Sequence, residues 1–333
     1  MTSQRATLTD VAREAGLSTA VVSYVLNNGP RPVSASSRER VLTAIKKLDY
    51  TPDRAARALR RRKSGMYGLI VPDATLPFFG ALANALDREI SDDGMLLIGN
   101  TGFLPERELQ LAERFIAAGV DALYIVTEGL GDELGTLTTR TGTRCVWLHA
   151  DPGIAGADVV RSDHRKAGRE ATLHLIDEHH RSHVVFAGGQ SVRGTINERF
   201  LGYTDAMTSR GLSPTHFDTD LTPDDSYRQT REHLDRGSTV DGLIVSTYGQ
   251  TTAAVRAVFD AGRSIPGDIS LVSFDGDPRA RYERPTVTTM LQDVSAIAAA
   301  AVQHATADET SSATLDAQLT IAESCGCVAR TPA

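Results

Sequence analysis

The sequence predicts an α + α/β chain: an N-terminal helix-turn-helix in a three-helix head, a hinge helix, and a two-lobed parallel-sheet body. Three observations predict it. Capping residues and apolar spacings of three and four crowd the first 50 positions. Residues 1–64 hold 13 of the 35 lysines and arginines but 5 of the 42 acidic residues, a net +8 against −15 for the rest. From Met66 onward, continuous apolar β-rich runs alternate with amphipathic helices. The 333 residues allow two or three domains. The longest apolar stretch, Ile297-Ala-Ala-Ala-Ala-Val302, is too short to span a bilayer. The N-terminus leads into Asp10, Arg13 and Glu14 rather than an apolar core, so no secretory signal is expected. Three cysteines, Cys145, Cys325 and Cys327, are too few for a disulfide framework, and a reducing cytoplasmic compartment is expected.

In the head, Thr9 is expected to cap a first helix carrying Val11, Ala12 and Ala15, which stops at Gly16. Ser18 caps a second helix running to Asn27, closed by Gly29-Pro30. A third spans about 36–48, with Val41, Ala44, Ile45 and Leu48 on one face. Val22, Val25 and Leu26 then face the other helices, and Thr19, Ala20, Ser23, Tyr24 and Asn27 face outward. That outer face is small and polar near the helix start, as side chains entering a major groove require. Ser18 and the open amides of the first turn suit a phosphate. The competing reading is a merely basic surface patch.

Thr7-Leu-Thr-Asp-Val-Ala-Arg-Glu-Ala-Gly-Leu-Ser18, Val22-Ser-Tyr-Val-Leu-Asn27, Arg38-Glu-Arg-Val41 and Leu48-Asp-Tyr-Thr-Pro52 resemble the lactose/galactose-repressor family, also called LacI/GalR. The likeness continues through Ala55-Ala-Arg-Ala-Leu-Arg60 and more loosely to about residue 325. It implies a helix-turn-helix DNA-binding domain over 1–50, a hinge linker over 51–64 and an effector-binding and dimerisation domain over 66–333. It also implies that Thr19, Ala20 and Tyr24 sit where the family reads bases.

The linker after Pro52 carries five arginines and a lysine, with Ala55, Ala58 and Leu59 on one helical face. So short a helix is marginal alone. It is expected to form when two copies meet over DNA and their charges are neutralised. The resemblance implies the same: a paired hinge helix in the minor groove, with Leu59 as the wedge at the central base step. Ordinary helix packing is the other reading of Leu59. Arg57 and its neighbours are expected to hold phosphates.

In the body, likely strands are 67–71, 95–99, 121–126 and 144–148, then 183–187, 241–245 and 269–274. Helices such as 105–118 and 251–261 lie between them. The two halves echo each other, Gly119-Val-Asp-Ala-Leu-Tyr-Ile-Val126 against Thr239-Val-Asp-Gly-Leu-Ile-Val245, which suggests two α/β lobes around a cleft. The family resemblance makes this a periplasmic-binding-protein-like body. It implies chain crossings near 160, 289 and 322, with lobe one about 66–160 plus 291–321 and lobe two about 163–288 plus 323–333.

Loops after strands should line the cleft. They supply Phe78 and Phe79 after the first strand, His149 after the fourth, Arg193, Thr195 and Arg199 after the fifth, Tyr248 after the next, and Asp275 after the last. The resemblance places Phe78, Arg193, Thr195, Arg199 and Asp275 in the effector pocket of related repressors. An arginine and an aspartate across a cleft suit a hydroxyl-rich sugar. Pairing of Arg199 or Asp275 inside lobe two is the competing reading, and Phe79 serves equally as core. His149 departs from the family, whose members often carry an acid there. Trp147 is expected near the cleft.

No metal or cofactor is expected. Glu178-His179-His180-Arg181-Ser182-His183 reads as a solvated helix end, and Cys325-Gly-Cys327 has no partner ligands nearby in sequence. No dinucleotide fingerprint, phosphate loop or nucleophile elbow occurs, which argues against an enzyme. The expected function is a sequence-specific DNA-binding transcriptional regulator, in the first instance a repressor. It would bind a palindromic double-stranded operator as a homodimer and respond to a small-molecule effector, with a carbohydrate favoured. A purine- or nucleoside-responsive corepressed regulator is the alternative, and a solute-binding protein a more distant one.

Overall fold

The computed structural model describes residues 6–27, 31–51, 63–90, 94–126, 131–149, 157–188, 194–237, 239–277, 280 and 282–327. Of the hinge expected over 51–64, residues 52–62 with Arg57 and Leu59 lie outside these, as does Arg193. The chain divides into two compact units, 1–64 and 65–333.

In the first unit, α1 (Leu8–Ala15), α2 (Thr19–Asn27) and α3 (Ala35–Lys47) enclose Val11, Ala15, Val22, Val25, Val41 and Ala44. The start of α1 corrects the expected cap. Thr7, not Thr9, is the cap: its hydroxyl accepts the Asp10 N–H at 3.3 Å, and Asp10 accepts the Thr7 N–H at 3.0 Å. This reciprocal box needs a carboxylate three residues on, which Thr7 has and Thr9 lacks. Thr9 is exposed in the first turn. Gly16 ends α1 in the left-handed region at φ 59°, where the Leu17 N–H reaches back to the Ala12 carbonyl at 3.0 Å. That bond makes the turn tight. Arg40 donates to the Gly16 carbonyl at 3.2 Å and Lys47 meets Glu14 at 2.7 Å, tying α3 across the turn.

The second unit is two parallel-sheet lobes. The first sheet comprises β1 (Met66–Val71), β2 (Met95–Asn100), β3 (Ala122–Val126), β4 (Arg144–Leu148), β5 (Asp158–Ser162) and β11 (Ser312–Leu315), in spatial order β11-β5-β4-β3-β1-β2. The second comprises β6 (Val184–Ala187), β7 (Thr215–Phe217), β8 (Gly242–Val245), β9 (Ser270–Phe274), β10 (Thr288–Leu291) and β12 (Gln318–Thr320), in order β12-β10-β9-β8-β6-β7. Every pairing is parallel except β10 with β12.

Helices cover both faces, which is why β3 and β8 are apolar without alternation and, like β9, buried throughout. In lobe one these are α4 (Pro77–Glu89), α5 (Pro105–Ala117), α6 (Gly131–Thr141) and α11 (Val294–Thr306). Lobe two has α7 (His164–Leu173), α8 (Thr195–Ser209), α9 (Pro223–Asp235) and α10 (Tyr248–Asp260).

The chain leaves the first sheet after Ser162, returns after Leu291, and enters the second again between Leu315 and Gln318. The last change falls earlier than 322 because β12 pairs with β10 as soon as β11 ends. Helices α7 and α8 approach closely because Gly168 and Gly202 face each other's backbone. A Cβ on Gly202 would lie 2.0 Å from the Arg165 carbonyl oxygen, and one on Gly168 2.1 Å from that of Arg199. That close crossing brings Arg199 against the end of the second sheet.

Candidate functional site

Between the lobes lies a cleft of about 970 Å³, its open mouth included. Lobe one contributes Phe78 and Phe79 at the start of α4, with Phe103 and, after β4, His149. Lobe two contributes Thr195 and Arg199 of α8, Tyr248 of α10, and Asp275 after β9. Gln292 stands where the chain returns to lobe one. Seven of the expected residues are thus brought together: Phe78, Phe79, His149, Thr195, Arg199, Tyr248 and Asp275. Two strand ends do this through an unusual backbone. His149 and Asp275 have φ of 60° and 71°, left-handed values that non-glycine residues seldom adopt. Such conformations cost about 1–3 kcal/mol each and cluster at ligand sites.

Arg199 is the hub. It is 2% exposed and donates to both Asp275 carboxylate oxygens, at 2.9 and 2.7 Å, and to the Ser246 carbonyl at 2.7 Å. Its guanidinium carbon stands 4.5 Å from the centre of the Phe274 ring. Gln292 Nε2 donates to Asp275 Oδ1 at 2.6 Å. The expectation that Arg199 and Asp275 face each other across the cleft is corrected: both sit on lobe two and pair there. Their strand-end and helix-start positions are neighbours because β9 and α8 pack on the same sheet.

A chain of hydrogen bonds sets the histidine tautomers. Arg199 Nε donates to His164 Nδ1 at 3.3 Å, and His164 Nε2 meets His149 Nδ1 at 3.1 Å. Arginine can only donate, so His164 Nδ1 accepts and its Nε2 carries the hydrogen. His149 Nδ1 must then accept, which leaves the hydrogen on His149 Nε2. Burial drives the His149 pKa down to about 4, the Asp275 charge opposing and Arg199 assisting, so the ring is neutral. His164 is held well below the usual range by burial, then by Arg199 and His149.

His149 Nε2 is buried without a partner, and so is Gln292 Oε1, whose amide nitrogen is committed to Asp275. Two residues of the cleft wall thus hold one buried donor and one buried acceptor without partners among the described residues. Among the described lining residues the charges are Arg199 and Asp275, which cancel. Tyr248 spends its hydroxyl on Glu283 at 2.8 Å and gives the cleft its ring. Phe78 packs edge-on against both His149 and Phe79, so Phe79 is at once a cleft wall and a support of the lobe-one core.

Sequence reasoning missed His164 and Gln292. Each adjoins a strand that was not expected, β5 or β10, and so neither stood at a recognised strand end. Trp147 is not at the cleft; it is 2% exposed in the lobe-one core with Leu123, Leu134 and Val159. Its side chain faces away from the sheet surface that carries Val146 and Leu148, which belong to the opposite core.

On the head, Ser18, Thr19 and Ala20 are exposed and Ser23 and Tyr24 half-buried, all on the α2 side away from Val22 and Val25. Ser18 Oγ accepts the Val21 N–H at 3.3 Å. The side chain of Asn27 lies outside the described set.

Residues 7–53 match the family described as bacterial regulatory proteins, lacI family, and residues 172–320 match the periplasmic binding protein-like domain. The chain is 32% identical over 307 residues to the HTH-type transcriptional regulator GalR of Escherichia coli strain K12, covering 91% of this chain and 89% of that one. It belongs to the lacI family. This lacI-family protein is a DNA-binding transcriptional regulator, in a class whose curated relatives are regulators rather than enzymes. Its fold is that of the lac repressor dimer solved with operator and anti-inducer, at TM-score 0.81 and 22% identity over 96% of this chain and 99% of that one. The CelR–cellobiose complex matches with TM-score 0.69 at 25% identity, over 96% of this chain and 100% of that one.

Proposed function

We propose that this regulator is a cytoplasmic homodimeric repressor whose cleft takes a neutral, hydroxyl-rich effector, most simply a sugar. One observation carries the ligand class. Two residues of the cleft wall hold a buried donor, His149 Nε2–H, and a buried acceptor, Gln292 Oε1, that lack partners, and the charges of the described wall cancel. A hydroxyl both donates and accepts, so a polyol satisfies both groups, and stranded buried polar atoms cost about 1–3 kcal/mol each. Arg199, the cation among the described lining residues, is already paired with Asp275, which favours a neutral ligand there, and Arg193 remains an expected contact of the same cleft. The aromatic wall of Phe78 and Phe79 also suits a purine base, which is the second reading. Cellobiose in the CelR complex accords with the first.

On the DNA side, Thr19, Ala20, Ser23, Tyr24 and Asn27 stand at base edges, Ser18 and Arg57 at phosphates, and Thr9 belongs to the DNA-binding set. Leu59 remains the wedge. Met95, Ile98 and Leu104 are exposed along β2, an edge strand of the first sheet, and the turns after it. This exposed apolar strip at a sheet edge is what supports the homodimer reading, with a second copy covering it.

The test is thermal unfolding of the full chain against neutral sugars, sugar phosphates, nucleosides and purines. A ligand at 100 times its Kd adds about 2.7 kcal/mol. Stabilisation by a neutral sugar, with release from operator DNA, is expected. Stabilisation by sugar phosphates or purines alone would overturn the ligand class. In parallel, Leu59→Ala should weaken operator binding and leave ligand binding unchanged; wild-type operator affinity would remove the wedge.

A further inference from the structure

The π turn after α7 and the C-terminal segment bring four metal-ligating side chains together, away from the cleft residues. His174 and His179 are five residues apart. In an α-helix at 3.6 residues per turn, five residues rotate about 140° beyond a full turn, so their side chains would diverge. Here residues His174–Glu178 form a π turn, in which positions i and i+5 align. The two Nε2 atoms consequently meet at 3.3 Å, with ring planes at 77°.

Cys325 and Cys327 arrive from the other end of the chain. A 3-10 turn over Glu323–Cys325 is pinned to the second sheet: Ser324 Oγ donates to the Leu271 carbonyl and Ser270 Oγ to the Cys325 carbonyl, both at 2.7 Å. Gly326 then reverses the chain at φ 106°, where a Cβ would stand 3.2 Å from His179 Nδ1. Cys327 Sγ lies 3.4 Å from His179 Nε2 and 3.9 Å from His174 Nε2, and all four ligand atoms lie within 4.8 Å of one another. Cys325 is completely buried and His174 is 9% exposed.

We propose that His174, His179, Cys325 and Cys327 form a Cys2His2 zinc site that staples the C-terminal segment to lobe two. Tetrahedral zinc with bonds of about 2.3 Å to sulfur and 2.05 Å to nitrogen separates its ligands by about 3.3 Å (N to N) and 3.6 Å (N to S). The separations among His174, His179 and Cys327, 3.3, 3.4 and 3.9 Å, bracket those values, and Cys325 Sγ lies within 4.8 Å of each of the other three. Two thiolates and two imidazoles select zinc over magnesium or calcium, and four protein ligands leave no open position, so the site is structural rather than catalytic. On binding, each thiol releases its proton to solvent, and no redox change occurs. No partner lies near Cys325-Gly-Cys327 in sequence; the two histidines stand 148 and 153 residues before Cys327, and the fold brings them there.

The test uses untagged full-length protein, loaded with zinc, dialysed and assayed for metal, with Cys327→Ser and His179→Asn alongside. About one zinc per chain is expected, falling below about a tenth in either variant while circular dichroism stays unchanged. Cobalt substitution should give a tetrahedral spectrum with a thiolate-to-cobalt charge-transfer band that Cys327→Ser abolishes. Failure of the wild type to retain zinc overturns the proposal, as does full retention by both variants. Recovery of a Cys325–Cys327 disulfide from reduced, zinc-treated protein also overturns it. None of these readouts depends on the effector or on DNA.

Discussion

Replacing Arg199 by methionine keeps an unbranched apolar stem and removes the guanidinium. Four interactions go with it: the two-point pair with Asp275, the bond to the Ser246 carbonyl, the bond from Nε to His164 Nδ1 and the contact with the Phe274 ring. Asp275 would keep only the Gln292 amide among the partners described above. The side chains of Arg199 and Asp275 are 3% and 13% exposed, so solvent replaces little of what is lost. Breaking a buried pair from one side costs about 3–5 kcal/mol, because the surviving charge is stranded, whereas removing both partners is often close to neutral. Arg199→Met should therefore destabilise lobe two by about 4 kcal/mol. Arg199→Met with Asp275→Asn should recover at least half of that. Urea unfolding of the full chain, followed by circular dichroism, supplies the four corners of a double-mutant cycle. The single variant should still bind operator DNA, since 1–64 is a separate compact unit, but should not respond to effector. Additivity of the two single losses within about 0.5 kcal/mol would refute the coupling. A wild-type effector response in Arg199→Met would remove the arginine from the binding site.

The other expectations concern protons and close packing. Free histidine titrates near 6.5 and buried His149 at about 4, so the unfolded chain takes up the proton first. Stability is unaffected by this group above pH 6.5 and falls as pH drops from 6.5 to 4, by about 3 kcal/mol in total. Unfolding free energies of wild type and His149→Asn should diverge in pH slope across that window; parallel profiles would contradict a buried neutral ring. Gly202→Ala should cost about 3 kcal/mol or more, because the added carbon meets the Arg165 carbonyl at 2.0 Å and the Arg169 nitrogen at 2.7 Å. Gly135→Ala, in α6 with nothing within 4 Å of the new carbon, should stabilise by up to about 1 kcal/mol. Thermal melting of both variants checks the contrast, and equal midpoints would argue against backbone contact between α7 and α8.

The elements legible in the sequence were those whose own residues state their role. Val22 and Val25 against Thr19 and Ala20 declare which side of α2 is buried, and Gly16 declares where α1 stops. Leu243, Ile244 and Val245 declare a strand covered on both faces. Strands β5, β7, β10, β11 and β12 were not legible. Asp158-Val-Val-Arg-Ser162, Thr288-Thr-Met-Leu291 and Gln318-Leu-Thr320 are short and partly polar, and they become strands because a neighbouring strand supplies their hydrogen-bond partners. With them went His164 and Gln292, and so the polar network behind the cleft.

Local pattern thus determined the helical head, its charge, the two-lobed body and most of the cleft's residue types, because periodicity, capping and charge are properties of neighbouring residues. Only the tertiary structure decided that Arg199 pairs with Asp275 inside one lobe, that His149 presents an N–H, and that His174 and His179 meet Cys325 and Cys327. Those outcomes depend on distances between residues 15 to 153 positions apart. No local pattern encodes such distances; sheet order and helix packing set them.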